Sequence, residues 1–260
     1  MDLDAIVHRA HALEEVTTET DLRTGLLRDE LATSEDFYRA RGASAIMRTA
    51  HFPDDLFFFL QLESLAILQS IRVYNCDVLV EMGCYDGRAL EVARSAEVSY
   101  LGVDINDQAV EVLRQRIVSE GLQRTAKAVT GDVTSPGQWN SAVVGDVPLY
   151  VLPFNIIGNL PDPTSVFRAM HGCAGYGIVT VFNSDVWTTE LRRDYYSACG
   201  IALSGIEQAP YGGVRFRGAD GFTSQSFSSD CLDRFFEDSG VQALQSARNR
   251  FGHCVTVRFG

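Results

Sequence analysis

Lysine is nearly absent from this chain of 260 residues: of its 22 bases one is a lysine, Lys127, and the rest are arginines. That scarcity excludes several enzyme classes. A pyridoxal enzyme needs a lysine for its Schiff base. A P-loop needs Gly-Lys-Ser/Thr, whereas Lys127 lies in Thr125-Ala126-Lys127-Ala128-Val129. The Tyr-x-x-x-Lys pair of short-chain dehydrogenases fails as well, because position 123 is Gln123. The six cysteines form no Cys-x-x-Cys pair and no Cys/His cluster, so neither structural zinc nor a redox dithiol has its spacing, and no metal is expected. Met1-Asp2-Leu3-Asp4 is acidic and opens no signal peptide. The longest uninterrupted apolar run, Leu56-Phe57-Phe58-Phe59-Leu60, is too short to span a membrane. A reducing cytoplasm and no membrane partner are the expectation.

What is present is acid. Thirty-four acids leave a net charge of −12, a field opposed to phosphate, so no nucleic-acid partner is expected. At this length and 46% hydrophobic content the chain buries a sizeable core without staples. Residues 1–74 read as a helical extension. Leu3, Ile6, Val7, Ala10 and Leu13 keep helical spacing, which continues through 21–31 and 34–47, with Ser34 as an N-cap before Glu35 and Asp36. Pro53-Asp54-Asp55 opens a long apolar helix to about residue 74. The first 40 residues hold ten acids and four arginines. The extension is a solvated face, a lid or a dimer arm; a homodimer is left open.

From residue 75 strand and helix alternate. Strands are expected at 78–80, 100–104, 127–132, 149–155 and 177–182. Between them lie helices at 89–96, 106–121 with Asn106 as cap, 138–144, and 165–171 with Pro163 at its first position. After a helix over 185–199 the alternation stops. Strand-like runs follow at 201–207 and 222–227, then a helix capped by Ser229, then two strands at 241–247 and 253–259 that pair antiparallel. The fold class is α/β: a Rossmann-like doubly wound sheet, mostly parallel with an antiparallel C-terminal pair, over 75–260.

Three acids stand at the carboxyl ends of successive strands, Glu81, Asp104 and Asp132, where open α/β sheets bind ligands. Gly83 and Gly87 flank the turn after the first. An acid after the second strand accepts from both hydroxyls of a ribose, and one after the third can accept from an adenine amine. This set resembles the class I S-adenosylmethionine-dependent methyltransferases. Val78-Leu79-Val80-Glu81-Met82-Gly83-Cys84-Tyr85-Asp86-Gly87 is similar to their acidic-x-Gly-x-Gly-x-Gly loop, with Tyr85 in place of the middle glycine. Gly131-Asp132 and Leu152-Pro153-Phe154-Asn155 match two further segments. The resemblance implies S-adenosyl-L-methionine as cofactor, held by Glu81, Gly83, Cys84, Tyr85, Gly87, Asp104, Ile105, Asp132, Val133 and Pro153. A dinucleotide oxidoreductase is the rival, but its Gly-x-Gly-x-x-Gly would need glycine at Tyr85 and Arg88. A sheet that binds the cofactor without catalysis also stays open.

The resemblance places the methyl acceptor beside the segment after the fourth strand. Asn155 and Asn159 are therefore the candidate catalytic and substrate-binding residues, and Ile157-Gly158-Asn159 resembles a triplet of amino-acid N-methylating relatives. His51, ahead of Pro53, is a candidate base. Tyr195, Tyr196 and Tyr211 are candidate pocket residues, and Arg215 is a candidate fork for a substrate carboxylate. The expected activity is methyl transfer to a small molecule, an amine or guanidine nitrogen of a metabolite or natural product, with O-methylation as the alternative. An acidic chain favours a cationic small substrate.

Overall fold

The computed structural model describes residues 33–47 and 49–260. The helical spacings expected at 3–13 and 21–31 lie outside the described residues. Helix α1 (Ser34–Ala40) begins with a capping box: the Asp36 N–H donates to the Thr33 hydroxyl at 3.1 Å and the Thr33 N–H to the Asp36 carboxylate at 3.0 Å. Thr33, not Ser34, is thus the cap, because only Thr33 has a partner acid at the third helical position. The helical spacing expected over 34–47 is interrupted at Gly42, where φ is 44°, and α2 (Gly42–Ile46) follows.

Helix α3 (Asp54–Tyr74) starts at Pro53 and ends on left-handed Asn75. Its 21 residues are long and apolar enough by composition to cross a membrane, contrary to the expectation from uninterrupted runs. Gln61, Glu63 and Ser64 break the run without removing its overall apolar character. Here Leu56, Phe59, Ile67 and Ile71 are buried, and the helix packs on the sheet, so one face of it is core.

The alternating segment builds β1 (Val78–Met82), α4 (Leu90–Ser95), β2 (Ser99–Asp104), α5 (Asp107–Ser119), β3 (Ala126–Thr130), β4 (Pro148–Leu152), α6 (Ile156–Asn159), α7 (Ser165–Ala169), β5 (Gly175–Phe182) and α8 (Val186–Ala198). In place of one helix over 138–144 the chain makes two short 3-10 turns, Pro136–Gln138 and Asn140–Ala142, on either side of fully buried Trp139. Pro163 precedes the cap Thr164 instead of opening α7. After β6 (Leu203–Gln208), β7 (Val214–Gly218) and β8 (Thr223–Gln225) come α9 (Ser229–Asp238), β9 (Gln242–Arg248) and β10 (Gly252–Phe259). Ser228, not Ser229, stands before α9.

The main sheet runs β3-β2-β1-β4-β5-β10-β9, parallel through β5, with β10 antiparallel to both neighbours. Strand order reverses between β1 and β4, which opens a crevice at their carboxyl ends. β6, β7 and β8 form a separate antiparallel sheet that strand patterns alone did not reveal. It is tied to α8 by Arg192, which is 0% exposed and has no carboxylate partner among the described residues. Its Nη2 donates to the Ser224 carbonyl at 2.7 Å, and the guanidinium lies 4.9 Å from the Phe216 ring centre. Carbonyl dipoles and ring faces offset the desolvation of this charge.

Candidate active site

At the switch point the chain makes its tightest turns. Gly83 has φ 77°, and a Cβ there would lie 2.4 Å from Ile156 Cδ1. Tyr85 has φ 48°, so the residue that departs from the family's glycine still takes a glycine-like backbone. Its N–H donates to Asp104 Oδ2 at 2.9 Å, while the Asn106 N–H donates to Oδ1 at 2.9 Å. Each Asp104 oxygen thus keeps acceptor capacity for one hydroxyl of a vicinal diol. Burial raises the Asp104 pKa against those two hydrogen bonds. Asp132 uses Oδ1 to accept from the Thr134 N–H and hydroxyl, each at 2.8 Å, which leaves Oδ2 for another donor.

Glu81 is buried under the glycine turn. It accepts from the Tyr100 hydroxyl at 2.6 Å and the Ala89 N–H at 3.1 Å. Burial pushes its pKa up to about 7, opposed by nearby Arg88 and by those hydrogen bonds.

A cleft of about 390 Å³ runs across these strand ends. Glu81, Gly83, Cys84, Tyr85, Asp104, Ile105, Asp132, Val133 and Pro153 all line it. Gly87 does not. At φ 81° it donates to the Cys84 carbonyl, and a Cβ there would meet Leu113, so it shapes the loop from behind.

The other half of the cleft is built by α1, the end of α2 and the turn after β4. Ser34, Tyr38, Met47, Phe154, Asn159 and Leu160 line it. The Ser34 hydroxyl donates to the Asn159 carbonyl at 2.7 Å, and Asn106 Nδ2 donates to the Arg39 carbonyl at 3.0 Å. Both bonds hold α1 over the cleft.

Several expected site residues lie elsewhere. Asn155 is 1% exposed and left-handed. Its Nδ2 donates to the Gln225 carbonyl at 2.9 Å and its Oδ1 accepts from the Phe182 N–H at 3.2 Å, so the side chain staples the turn to β5 and β8. Tyr196 bonds Ser224 at 2.7 Å, and Tyr195 is buried among Phe52, Phe154 and Tyr196. Tyr211 bonds Asp238 and packs on Phe235; Arg215 pairs with Gln225 and Glu207. His51 sits in the 3-10 turn Thr49–His51, off the cleft lining. Asn155, Tyr196 and Arg215 bond residues of the second sheet, Tyr211 bonds α9, and Tyr195 packs among aromatic rings.

Sequence reasoning missed three residues. Tyr38 enters the cleft from α1. Arg88 is the one basic side chain on the cleft lining among the described residues, and it forms an ion pair with Glu63 of α3. Burial works against the Arg88 charge, but Glu63, Glu81 and Asp86 outweigh it. Glu63 is 1% exposed, and its second oxygen accepts from the Phe154 N–H at 2.8 Å. One carboxylate therefore links the cofactor side of the cleft to the turn on the other side. A signal for it existed: Glu63 falls four residues after Phe59 and four before Ile67, on the apolar face of α3.

No protein-family model and no curated protein sequence matches the chain. Solved structures do. One is the 1,6-didemethyltoxoflavin-N1-methyltransferase of Burkholderia thailandensis with bound 1,6-didemethyltoxoflavin and S-adenosylhomocysteine. It has a TM-score of 0.59 at 13% identity, over 92% of this chain and 93% of that one. The fold is that of the class I methyltransferases. Magnesium protoporphyrin IX methyltransferase from Synechocystis PCC 6803 shares this class I fold with a TM-score of 0.56 at 11% identity, over 87% of this chain and 98% of that one. An O-methyltransferase of neocarzinostatin biosynthesis, with S-adenosylmethionine and 2-hydroxy-5-methyl naphthoic acid, follows at 0.55 and 13%, over 86% of this chain and 61% of that one.

Proposed function

We propose that the protein is an enzyme that transfers a methyl group from S-adenosylmethionine to a small molecule, with nitrogen the favoured acceptor. The observation that carries this reading is Asp104 at the end of β2. It has two oxygens, each already oriented by one backbone N–H and each able to accept one ribose hydroxyl. Asp132, with Oδ2 open, suits the adenine amine, and Gly83 lets the backbone approach the methionine portion. The sulfonium supplies an electrophilic methyl group that needs no metal. The chain contributes alignment and exclusion of water, through α1 closing over a cleft walled by Phe154, Met47 and Leu160. Neighbours that methylate nitrogen and oxygen both share the fold, so preference for nitrogen rests on the cleft itself. Among the described residues its acceptor half offers no histidine, lysine or cysteine to deprotonate a hydroxyl. The six free thiols suit a reducing cytoplasm.

Calorimetry with S-adenosylhomocysteine and with NAD tests the cofactor. Micromolar binding of the first and none of the second is expected; the reverse would sink the reading. Labelled methyl transfer across panels of amines, guanidines, phenols and carboxylates then tests the acceptor, and methylation confined to oxygen would refute the nitrogen preference.

A further inference from the structure

The cleft divides by charge, and the division bears on what the acceptor is; the argument rests on the methyl-transfer reading above. Glu81, Asp86, Asp104 and Asp132 all lie on the side formed by β1, β2 and β3, as does Arg88. The opposite half is lined mainly by Tyr38, Ile46, Met47, Phe154, Leu160 and Pro161. Two acids reach that half, and both are already paired. Glu35 accepts from Arg39 at 2.8 Å, and Asp162 is bonded by Arg168 and by the Thr164 hydroxyl. No arginine, lysine or histidine lines it among the described residues. A cationic acceptor would therefore have to compete with Arg39 and Arg168 for these carboxylates, and an anionic one would find no cationic side chain.

The polar groups of this half are few and neutral. The Ser34 hydroxyl is used by the Asn159 carbonyl. The Tyr38 hydroxyl points to the Thr223 carbonyl at 3.4 Å, and burial raises its pKa, so it stays a protonated phenol. The Asn159 carboxamide lines the cleft and makes no side-chain hydrogen bond among the described residues. A carboxamide offers one donor face and one acceptor face, and so matches a neutral edge carrying a carbonyl or ring nitrogen beside an N–H. Phe154 also lines this half, its ring stacked on Phe52 and packed by Phe59, Phe182 and Tyr195, so it adds an apolar, rigidly held boundary.

We propose that the methyl acceptor is an uncharged planar ring system, a nitrogen heterocycle, held edge-on by the Asn159 carboxamide between the apolar side chains of Met47, Phe154 and Leu160. Its nucleophile is a nitrogen whose lone pair is available at neutral pH, so the transfer needs no base. In the transfer that lone pair forms the new nitrogen–carbon bond while the carbon–sulfur bond breaks with its electron pair going to sulfur. The methylated ring nitrogen is then cationic, and the ring regains neutrality when its neighbouring N–H gives its proton to solvent water. This class of acceptor replaces the cationic one that overall acidity suggested, because the excess acid sits at the cofactor end and on the exterior rather than here.

The test uses three isosteric probes that differ in charge: 2-naphthamide, 2-naphthoate and 2-naphthylmethylammonium. Each is titrated by calorimetry into the full chain at pH 7.5, with and without saturating S-adenosylhomocysteine. The neutral probe is expected to bind at least about tenfold more tightly than either ion, since each ion would be desolvated without a partner. Asn159→Asp keeps the side chain's shape and adds a charge, and it is expected to move the preference to the ammonium. Asn159→Ala is expected to weaken the amide probe while leaving S-adenosylhomocysteine binding unchanged. Equal or tighter binding of a charged probe, no binding of any probe, or a preference unmoved by Asn159→Asp overturns the proposal. Loss of S-adenosylhomocysteine binding by the unmodified protein falls instead on the cofactor reading, and the charge preference is still read from the titrations without it.

Discussion

Replacing Glu63 tests whether one buried carboxylate holds both walls of the cleft. In Glu63→Ala the Phe154 N–H, now bonded at 2.8 Å, loses its acceptor in a turn where Phe154 itself has φ 46°. A buried donor left unpaired costs about 1–3 kcal/mol. The Arg88 guanidinium loses its partner too, but its side chain is 25% exposed and rehydrates, so the cost lies well below the 3–5 kcal/mol typical of a fully buried broken pair. Together these effects give about 3 kcal/mol. At roughly 2–4 °C per kcal/mol for a chain of this size, the melting midpoint should fall by about 6–12 °C. Glu63→Gln keeps an oxygen for the Phe154 N–H and loses only the charge, so it should lose about half as much. Thermal and urea melts followed by circular dichroism measure both, and calorimetry with S-adenosylhomocysteine reports whether Arg88 and the glycine turn stay in place. A midpoint shift under about 2 °C in Glu63→Ala would refute the reasoning. So would a Gln variant as unstable as the Ala variant, since the Phe154 contact would then contribute nothing.

Asp104→Ala should weaken S-adenosylhomocysteine by about 10- to 100-fold, the loss of one or two hydrogen bonds to a charged acceptor, with unchanged affinity in calorimetry rejecting the ribose role. Glu81 carries a pKa raised to about 7 by burial, so between the ordinary carboxylate range and pH 7 the folded chain holds a proton that the unfolded chain releases. The Glu81 contribution to stability is therefore full below the ordinary carboxylate range and is lost as pH rises through about 7, by on the order of 3 kcal/mol, so the difference in urea midpoint between the unmodified protein and Glu81→Gln should shrink over that window. Asn155→Ala removes the staple to Phe182 and Gln225 and should cost about 2–3 kcal/mol in melts while leaving S-adenosylhomocysteine affinity nearly unchanged. Arg215→Ala and His51→Ala should each leave both that affinity and methyl transfer within about twofold, because neither side chain lines the cleft; a large loss of transfer would restore them as site residues.

The strand-end side of the cleft was legible because its logic is local. Glu81 and Asp104 close β1 and β2 and Asp132 follows β3 by two residues, and a strand end is visible as an apolar run stopping at an acid. Asn106 was readable as a cap for the same reason, and it accepts from the Ala109 N–H at 2.9 Å. Tyr85 was visible only as a departure from glycine; that it adopts φ 48° is a backbone fact with no signal in its residue type. The acceptor side was poorly legible because its polar residues are shared with a sheet that sequence did not reveal. Asn155, Tyr196 and Arg215 look like site residues until β8 is placed beside them, and then Ser224 and Gln225 claim their hydrogen bonds. The boundary errors at Ser34 and Ser229 have a smaller cause: each helix is preceded by a second hydroxyl residue, Thr33 or Ser228, and only Thr33 caps through its side chain.

By itself the sequence determined the order of most strands and helices, the antiparallel ending and the three acids that stand at the carboxyl ends of the first three strands. These follow from periodicity, turn residues and strand ends, all of which act within a few residues. It also determined, through one lysine and scattered cysteines, which chemistries are out of reach. The tertiary structure decided where the charge falls. It put Glu63, from a helix of the N-terminal segment, between Arg88 and Phe154, and it left the acceptor half of the cleft with paired acids and one open carboxamide. Such decisions depend on contacts between residues far apart in the chain, which no local pattern encodes, because a carboxylate becomes a strut or a solvated charge only when its neighbours arrive.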